Sequence, residues 1–393
     1  MDFQLRNLSE LLKKNLGPDV VIKETKITRL TPPGENFGSV MLKLDVTFGN
    51  KKNDSEEILY AVAKILPETE MFREIFQIQI TYTNEMAFYE TIVPTLQSFQ
   101  KGIGIQEVIE LFPKCIATRK NLTGGNEIDD DAVLILENLI QLGYQNIDRC
   151  QGFDFETTKM VLKDMASFHA VPLALKIRNP YVFEKKIKVH CHDFDPPDHE
   201  EFHDILRNIV KFNEELAYLA PKITYWGQLK RSTPREPFAT MIHTDLWTNN
   251  TMQKFHNGRP VSNKFVDFQV FTYGSPAADV FFFLWSSVPQ EVLEPNLEFF
   301  LQYYHEQFID VLKKHGIDVA PFSYEHFLKE LDIESEYGFS HAAHFYVNTV
   351  SREKGDIDFE NQDSQDIVNS TSQRTREKVW YMTRECLRRG WLK

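Results

Sequence analysis

The chain has 393 residues and a formal charge of −13, from 44 Lys+Arg against 57 Asp+Glu. With 42% hydrophobic and 26% charged residues it has the apolar surface of a folded protein, which excludes wholesale disorder, and its length suits two domains or one two-lobed fold. The acidic balance argues against nucleic acid or another polyanion as partner, because phosphate-binding surfaces are basic.

The start of the chain carries scattered charge and no apolar core of a secretion signal. It reads as a short amphipathic helix with Phe3, Leu5, Leu8, Leu11, Leu12 and Leu16 on one face. Val20 to Leu30 is a predicted strand, followed by the turn-rich Thr31–Gly38. Ser39–Phe48 alternates apolar and polar residues as a half-buried strand does, and Ile58–Leu66 is another. Helical spacing then runs from Glu70 to Pro94, where the proline is expected to end it. A second strand pair follows, near Phe112–Thr118 and at Ala132–Leu136.

Beyond Gly152 the periodicity becomes helical. Phe155–Ala170, Glu200–Leu219, Ala277–Ser287, Glu291–His315, Tyr324–Val350 and Arg374–Arg389 are the predicted helices. Two short strands, Phe238–His243 and Lys264–Phe268, interrupt them. The polar, acidic Gly355–Ser372 reads as a surface loop. The most apolar run, Ala277–Val288, is too short to span a membrane and carries Asp279, so it reads as a core helix. Cys115, Cys150, Cys191 and Cys386 are scattered and lack a C-x-x-C pair, which predicts free thiols and a cytoplasmic location. His190, His192 and His199 fit no standard zinc spacing and read as a loop. The expected layout is α+β: a small antiparallel-sheet lobe over residues 1–139 and a larger helical lobe over 140–393, as a monomer.

The segment carrying most chemistry is Met241-Ile-His-Thr-Asp-Leu-Trp-Thr-Asn-Asn250, which contains H-x-D-x-x-x-x-N directly after an apolar strand. Asp267, in Phe265-Val-Asp-Phe-Gln269, follows Asp245 by 22 residues. Phosphoryl transfer needs little covalent chemistry. It needs an acceptor oriented by a carboxylate, plus oxygen ligands that hold Mg²⁺ against the phosphates. Asp245, Asn250 and Asp267 are the residue types for those tasks.

In this spelling, HTDLWTNN, FVDFQ and YGSPAADVFFFL, the chain resembles the ecdysteroid-kinase-like family of insects. That family belongs to the protein-kinase-like superfamily, beside choline kinases and aminoglycoside phosphotransferases. The resemblance implies a bilobal kinase-like fold, ATP and Mg²⁺. It makes Asp245 the catalytic residue, Asn250 and Asp267 the metal ligands, and His243 and Asp279 the structural support of the catalytic loop. It assigns Lys64 to the ATP phosphates and Glu85 as its partner, with Glu74 and Glu90 as rivals. The turn with Gly34, Asn36, Phe37, Gly38 and Ser39 would cover the phosphates, although it has only two glycines. Glu137, Asn138 and Leu139 match the adenine-reading hinge, and His169 a satisfied core histidine.

Only six residues separate Asp267 from Gly274, which leaves no room for the activation segment that presents a peptide. A small hydroxylated acceptor is therefore expected. The resemblance favours an ecdysteroid or similar lipophilic alcohol, for hormone inactivation, storage or detoxification. A choline/ethanolamine-type kinase and a non-catalytic binding protein on a kinase fold stay open; the quartet Lys64, Asp245, Asn250 and Asp267 weighs against the last.

Overall fold

In the computed structural model, which describes residues 3–31, 38–50, 53–194, 200–352 and 364–392, the alternating segments build one five-stranded antiparallel sheet. Its order is β1 (Val20–Arg29), β2 (Val40–Asn50), β3 (Asn53–Ile65), β5 (Val133–Glu137), β4 (Cys115–Arg119). The two-residue side-chain period puts Leu42, Leu44 and Val46 of β2 on one face with Ala61 and Ala63 of β3 and Ile135 of β5. Leu8, Leu11 and Leu12 of α1 (Leu8–Leu16) seal that face, and Lys64 points from the other.

The sheet belongs to a compact unit of Met1–Pro94, Phe112–Gln145 and Val266–Gln269. Its helical part is not the continuous helix that the spacing predicts. α2 (Glu70–Ile75) ends at Phe76, and Gln77 takes a left-handed φ of 46° before α3 (Ile78–Ala87) begins. A π-helical turn, Phe88–Ile92, leads into α4 (Val93–Gly102). Pro94 sits in the first turn of α4, where its missing N–H costs little, so it does not end the helix.

The second unit comprises Thr95–Leu111, Asn146–Phe265 and Val270–Lys393. α5 (Phe155–Arg178) starts at Asp154, whose carboxylate accepts from Thr157 N at 2.8 Å. It packs against α7 (Leu297–Lys314), while α6 (Pro276–Ser287) packs against α8 (Tyr324–Phe345). Gly338 permits the latter approach, since a Cβ there would lie 3.0 Å from the Phe281 ring. α9 (Gln373–Arg388) completes the unit.

Several boundaries differ from expectation. The long helix 200–219 is broken into 3-10 turns at Glu200–Phe202 and Ala217–Lys222 around a short helix, Ile205–Lys211. Residues 353–363 lie outside the described residues, but Ser364–Ser370 is helical rather than loop. The strands of this unit are β6 (Thr240–Ile242), β7 (Thr251–His256), β8 (Arg259–Phe265) and β9 (Thr272–Gly274). β7 and β8 form an unpredicted hairpin, turning on Asn257 (φ 50°) and Gly258 (φ 74°). The Asn-Gly pair was its sequence signal. Among the described residues no helix is long and apolar enough to cross a membrane.

Candidate active site

In the sheet-bearing unit, β3 presents Lys64, whose ammonium is 2.6 Å from Glu85 Oε2 on α3 and 2.8 Å from Asp267 Oδ1. Lys64 and Glu85 are buried, whereas the Asp267 side chain is 36% exposed. Burial pulls the Lys64 pKa down, but Asp267 and Glu85 outweigh it and the pKa is raised, so the ammonium stays charged. Desolvation raises the Glu85 pKa, only partly offset by Lys64. Glu74 is exposed, and Glu90 accepts the Thr118 hydroxyl, so neither rival touches Lys64.

Glu85 also accepts the Phe268 amide at 3.2 Å. The Phe268 ring stacks on Phe88 at 3.6 Å and meets Phe112 edge-on at 5.2 Å. This aromatic cluster anchors the residue after Asp267. Asp267 itself has a left-handed φ of 66°, which a strand cannot continue, so the strand predicted over Lys264–Phe268 stops at Phe265. Gly34, Asn36 and Phe37 lie outside the described residues. Gly38 is a place of close approach: a Cβ there would meet Gln269 Oε1 at 2.9 Å and the Phe76 ring at 3.1 Å. Ser39, next to it, is buried. At the end of β5, Glu137 accepts the Lys114 amide at 2.9 Å, Asn138 donates its amide to Tyr60 O at 3.2 Å, and Leu139 is buried.

In the helical unit, β6 delivers His243 and Thr244 to one carboxylate. Asp279, in the first turn of α6, accepts His243 N at 2.6 Å and Thr244 N at 2.8 Å. It also pairs with His169 Nε2 at 3.0 Å, while His169 Nδ1 meets the Tyr304 hydroxyl at 2.7 Å. Desolvation would raise the Asp279 pKa, but the His169 bond and the His169 and His243 charges hold it low. Thr244 has a left-handed φ of 68° and its hydroxyl donates to Val270 O at 2.7 Å. That reversal presents Asp245 as the partly exposed residue of an otherwise buried run from His243 to Thr248. Asn250 Nδ2 donates to Asp245 Oδ2 at 2.9 Å and to its carbonyl at 2.8 Å, which leaves the Asn250 amide oxygen for other partners.

Beside this loop the same unit holds a cavity of about 170 Å³. Thr244, Phe282, Arg231, Glu334, Tyr337 and His341 are on its wall. None was singled out in the sequence. They come from four stretches of the chain, with Glu334, Tyr337 and His341 spaced along one face of α8, and of the six only Thr244 and Phe282 fall inside a sequence motif. Among the described residues no group of three or more His, Cys, Asp or Glu is placed to hold a metal ion, and His199 lies outside those residues.

The pattern of the ecdysteroid kinase-like family matches residues 33–317, well over half of the chain. The chain belongs to the ecdysteroid kinase-like family. In this ecdysteroid kinase-like protein the matched span includes Lys64, Glu85, Asp245, Asn250, Asp267 and Asp279. The search of curated proteins returns no match. Solved structures similar to the chain include a Plasmodium vivax ethanolamine kinase, at 12% identity and TM-score 0.42, covering 98% of this chain and 88% of that one. A choline kinase from Cryptosporidium parvum Iowa II has 12% identity and TM-score 0.43, covering 99% and 94% of the two chains. An amicoumacin kinase has 12% identity and TM-score 0.41, covering 96% and 93%.

Proposed function

We propose that the protein is an ATP-dependent small-molecule kinase that phosphorylates a hydroxyl of an ecdysteroid or a similar lipophilic alcohol. The observation that carries this reading is the buried Lys64 ammonium held between Glu85 and Asp267. A lysine buried at such cost and kept charged is suited to a polyanionic phosphate. Family membership supports the same activity, and the preference for a steroid rests on that membership.

Lys64 would contact the ATP phosphates, with Glu85 fixing it. Gly34, Asn36, Phe37, Gly38 and Ser39 would cover the phosphates with backbone N–H groups, and Glu137, Asn138 and Leu139 would receive the adenine. The donor chemistry of Asp267, a partly exposed carboxylate, and of Asn250, whose amide nitrogen is committed to Asp245, fits a hard cation such as Mg²⁺. Bound there, Mg²⁺ would neutralise charge on the phosphates. Asp245 orients the acceptor hydroxyl and takes its proton. The acceptor oxygen forms a bond to the γ-phosphorus as the bond to the β,γ-bridging oxygen breaks, giving a phosphate monoester and ADP. Asn250 holds the Asp245 carboxylate in place, and His243 and Asp279 hold the loop.

The test is mass spectrometry of 20-hydroxyecdysone, choline and a peptide mixture, each incubated with ATP, Mg²⁺ and wild type or Asp245→Asn. One phosphate gained by the steroid, and loss of that product in Asp245→Asn by a factor on the order of 10²–10⁴, is the expected result. Phosphate on choline or peptide alone overturns the acceptor. Equal turnover by the variant overturns the role of Asp245.

A further inference from the structure

Rings continue from the catalytic loop into the cavity wall of the helical unit. Trp247, two residues after Asp245, meets Phe345 with centroids 4.8 Å apart, and Phe345 meets Phe282 at 5.2 Å. Phe282 stacks on His341 at 4.5 Å, and His341 lies 5.6 Å from Tyr337. At the end of this series the Arg231 guanidinium lies 5.5 Å from the Tyr337 ring centroid and its Nε donates to the Tyr337 hydroxyl at 3.2 Å.

A ring face of this kind is the usual seat of a cationic ligand. Here the protein's own cation occupies it. Of the acidic groups nearby, Glu334 is paired with Arg235 Nη2 at 2.6 Å and accepts the Ser232 hydroxyl, while Asp193, which accepts the Thr272 hydroxyl at 2.8 Å, keeps its charge but is exposed to solvent screening. His341 is neutral at physiological pH, because desolvation and then Arg231 lower its pKa to about 3. A second cation entering the cavity would meet Arg231, with the nearest aromatic face already taken. An uncharged molecule meets no such repulsion and finds guanidinium, hydroxyl and imidazole groups on the wall for its oxygens.

We infer that Arg231, seated on Tyr337, is a specificity-determining residue that excludes cationic alcohols and selects an uncharged, flat, hydroxylated acceptor. This rests on the reading of the protein as a small-molecule kinase and deepens it. The device is repulsive as well as attractive, as discrimination between otherwise similar ligands requires. Two charges near 6 Å apart at a protein surface repel strongly enough to shift affinity by roughly a hundredfold at most, and tenfold is readily measured.

Acceptor binding is measured by calorimetry without ATP, using 20-hydroxyecdysone as the uncharged probe and choline as the cationic one. Wild type should bind the steroid at least about tenfold more tightly than choline. Arg231→Gln should narrow that ratio by about tenfold or more, chiefly by admitting choline, and Arg231→Lys should keep it because the charge remains. Melting curves of each variant establish that it is folded, and Tyr337→Phe, which keeps the ring and loses only the hydroxyl contact, should preserve most of the exclusion. The inference is overturned if wild type binds choline as tightly as the steroid, if it binds neither, or if Arg231→Gln leaves the ratio unchanged. Steroid binding with the ratio intact but no phosphate transferred would instead overturn the kinase reading and leave the role of Arg231 standing.

Discussion

Glu85 Oε2 lies 2.6 Å from Lys64 Nζ, with 2% and 4% of the two side chains exposed. Each charge is therefore tolerated because of the other, and the pair is asymmetric in what its loss does. Lys64→Met leaves a buried carboxylate without its main counter-charge, which costs about 3–5 kcal/mol for pairs of this kind. Without the ammonium, the Glu85 pKa rises further above its already raised value. The native state then binds more protons than the unfolded state between the ordinary Glu pKa and the raised one, so stability increases as pH falls through that window. Urea unfolding of Lys64→Met at pH 8 and pH 5.5 should show a larger deficit at pH 8, and Glu85→Gln added to it should recover part of that deficit. An equal deficit at both pH values would count against the pair as described.

Asp267→Asn should behave differently. The Asp267 side chain is 36% exposed and Lys64 retains Glu85, so the fold should survive with a melting temperature within a few degrees of wild type. Turnover should fall by about a hundredfold or more, because an amide is a poorer ligand for a hard cation than a carboxylate. Thermal melts and ATP-consumption assays over a range of Mg²⁺ concentrations check both halves. Wild-type turnover at equal Mg²⁺ would remove Asp267 from the metal site.

Asp279 is the residue whose amide variant should damage the fold. Its two oxygens accept the amides of His243 and Thr244 and a bond from His169. Asn offers one acceptor, and its NH₂ would face a backbone N–H or the imidazole. A buried donor left unsatisfied costs about 1–3 kcal/mol, more where the lost acceptor was charged. Asp279→Asn should therefore lower the denaturation midpoint and the activity together. Loss of activity with unchanged stability would show a role beyond bracing.

Acid should loosen the helical unit before it loosens the sheet. His344 is buried on α8, its Nδ1 2.8 Å from Ser340 O, and desolvation lowers its pKa to about 4. The unfolded chain, with an ordinary histidine, binds more protons than the native state from about pH 6.5 downward, so stability falls as pH drops toward 4. The loss attributable to His344 should be on the order of 2 kcal/mol between pH 6.5 and 4.5. Denaturation of wild type and His344→Gln across that range checks it: the variant should be less stable at pH 7 yet lose stability less steeply. Parallel pH profiles would refute it.

What the sequence determined was whatever lies close along the chain. The period-two alternation of Leu42, Leu44 and Val46, and of Ala61 and Ala63, specifies the sheet face, because a strand's side chains have no other periodicity. The order His243, Asp245, Asn250, Asp267 announced the family for the same reason, being fixed spacings on one loop and the segment after it. Where local signals competed, the sequence misled. Pro94 is a helix breaker in isolation, but the π-helical turn before it places it where no N–H is needed. The resemblance named Glu85 as the partner of Lys64, but only the tertiary structure excluded Glu74 and Glu90, since all three are carboxylates on helical segments and burial against Phe268 distinguishes one. The tertiary structure alone showed that Asp279 braces the loop through the two amides and is itself paired with His169, and it brought Arg231 onto Tyr337, 106 residues away in the chain. Such contacts arise from the packing of whole helices, which depends on the summed burial of many side chains and leaves no trace in the spacing of any two.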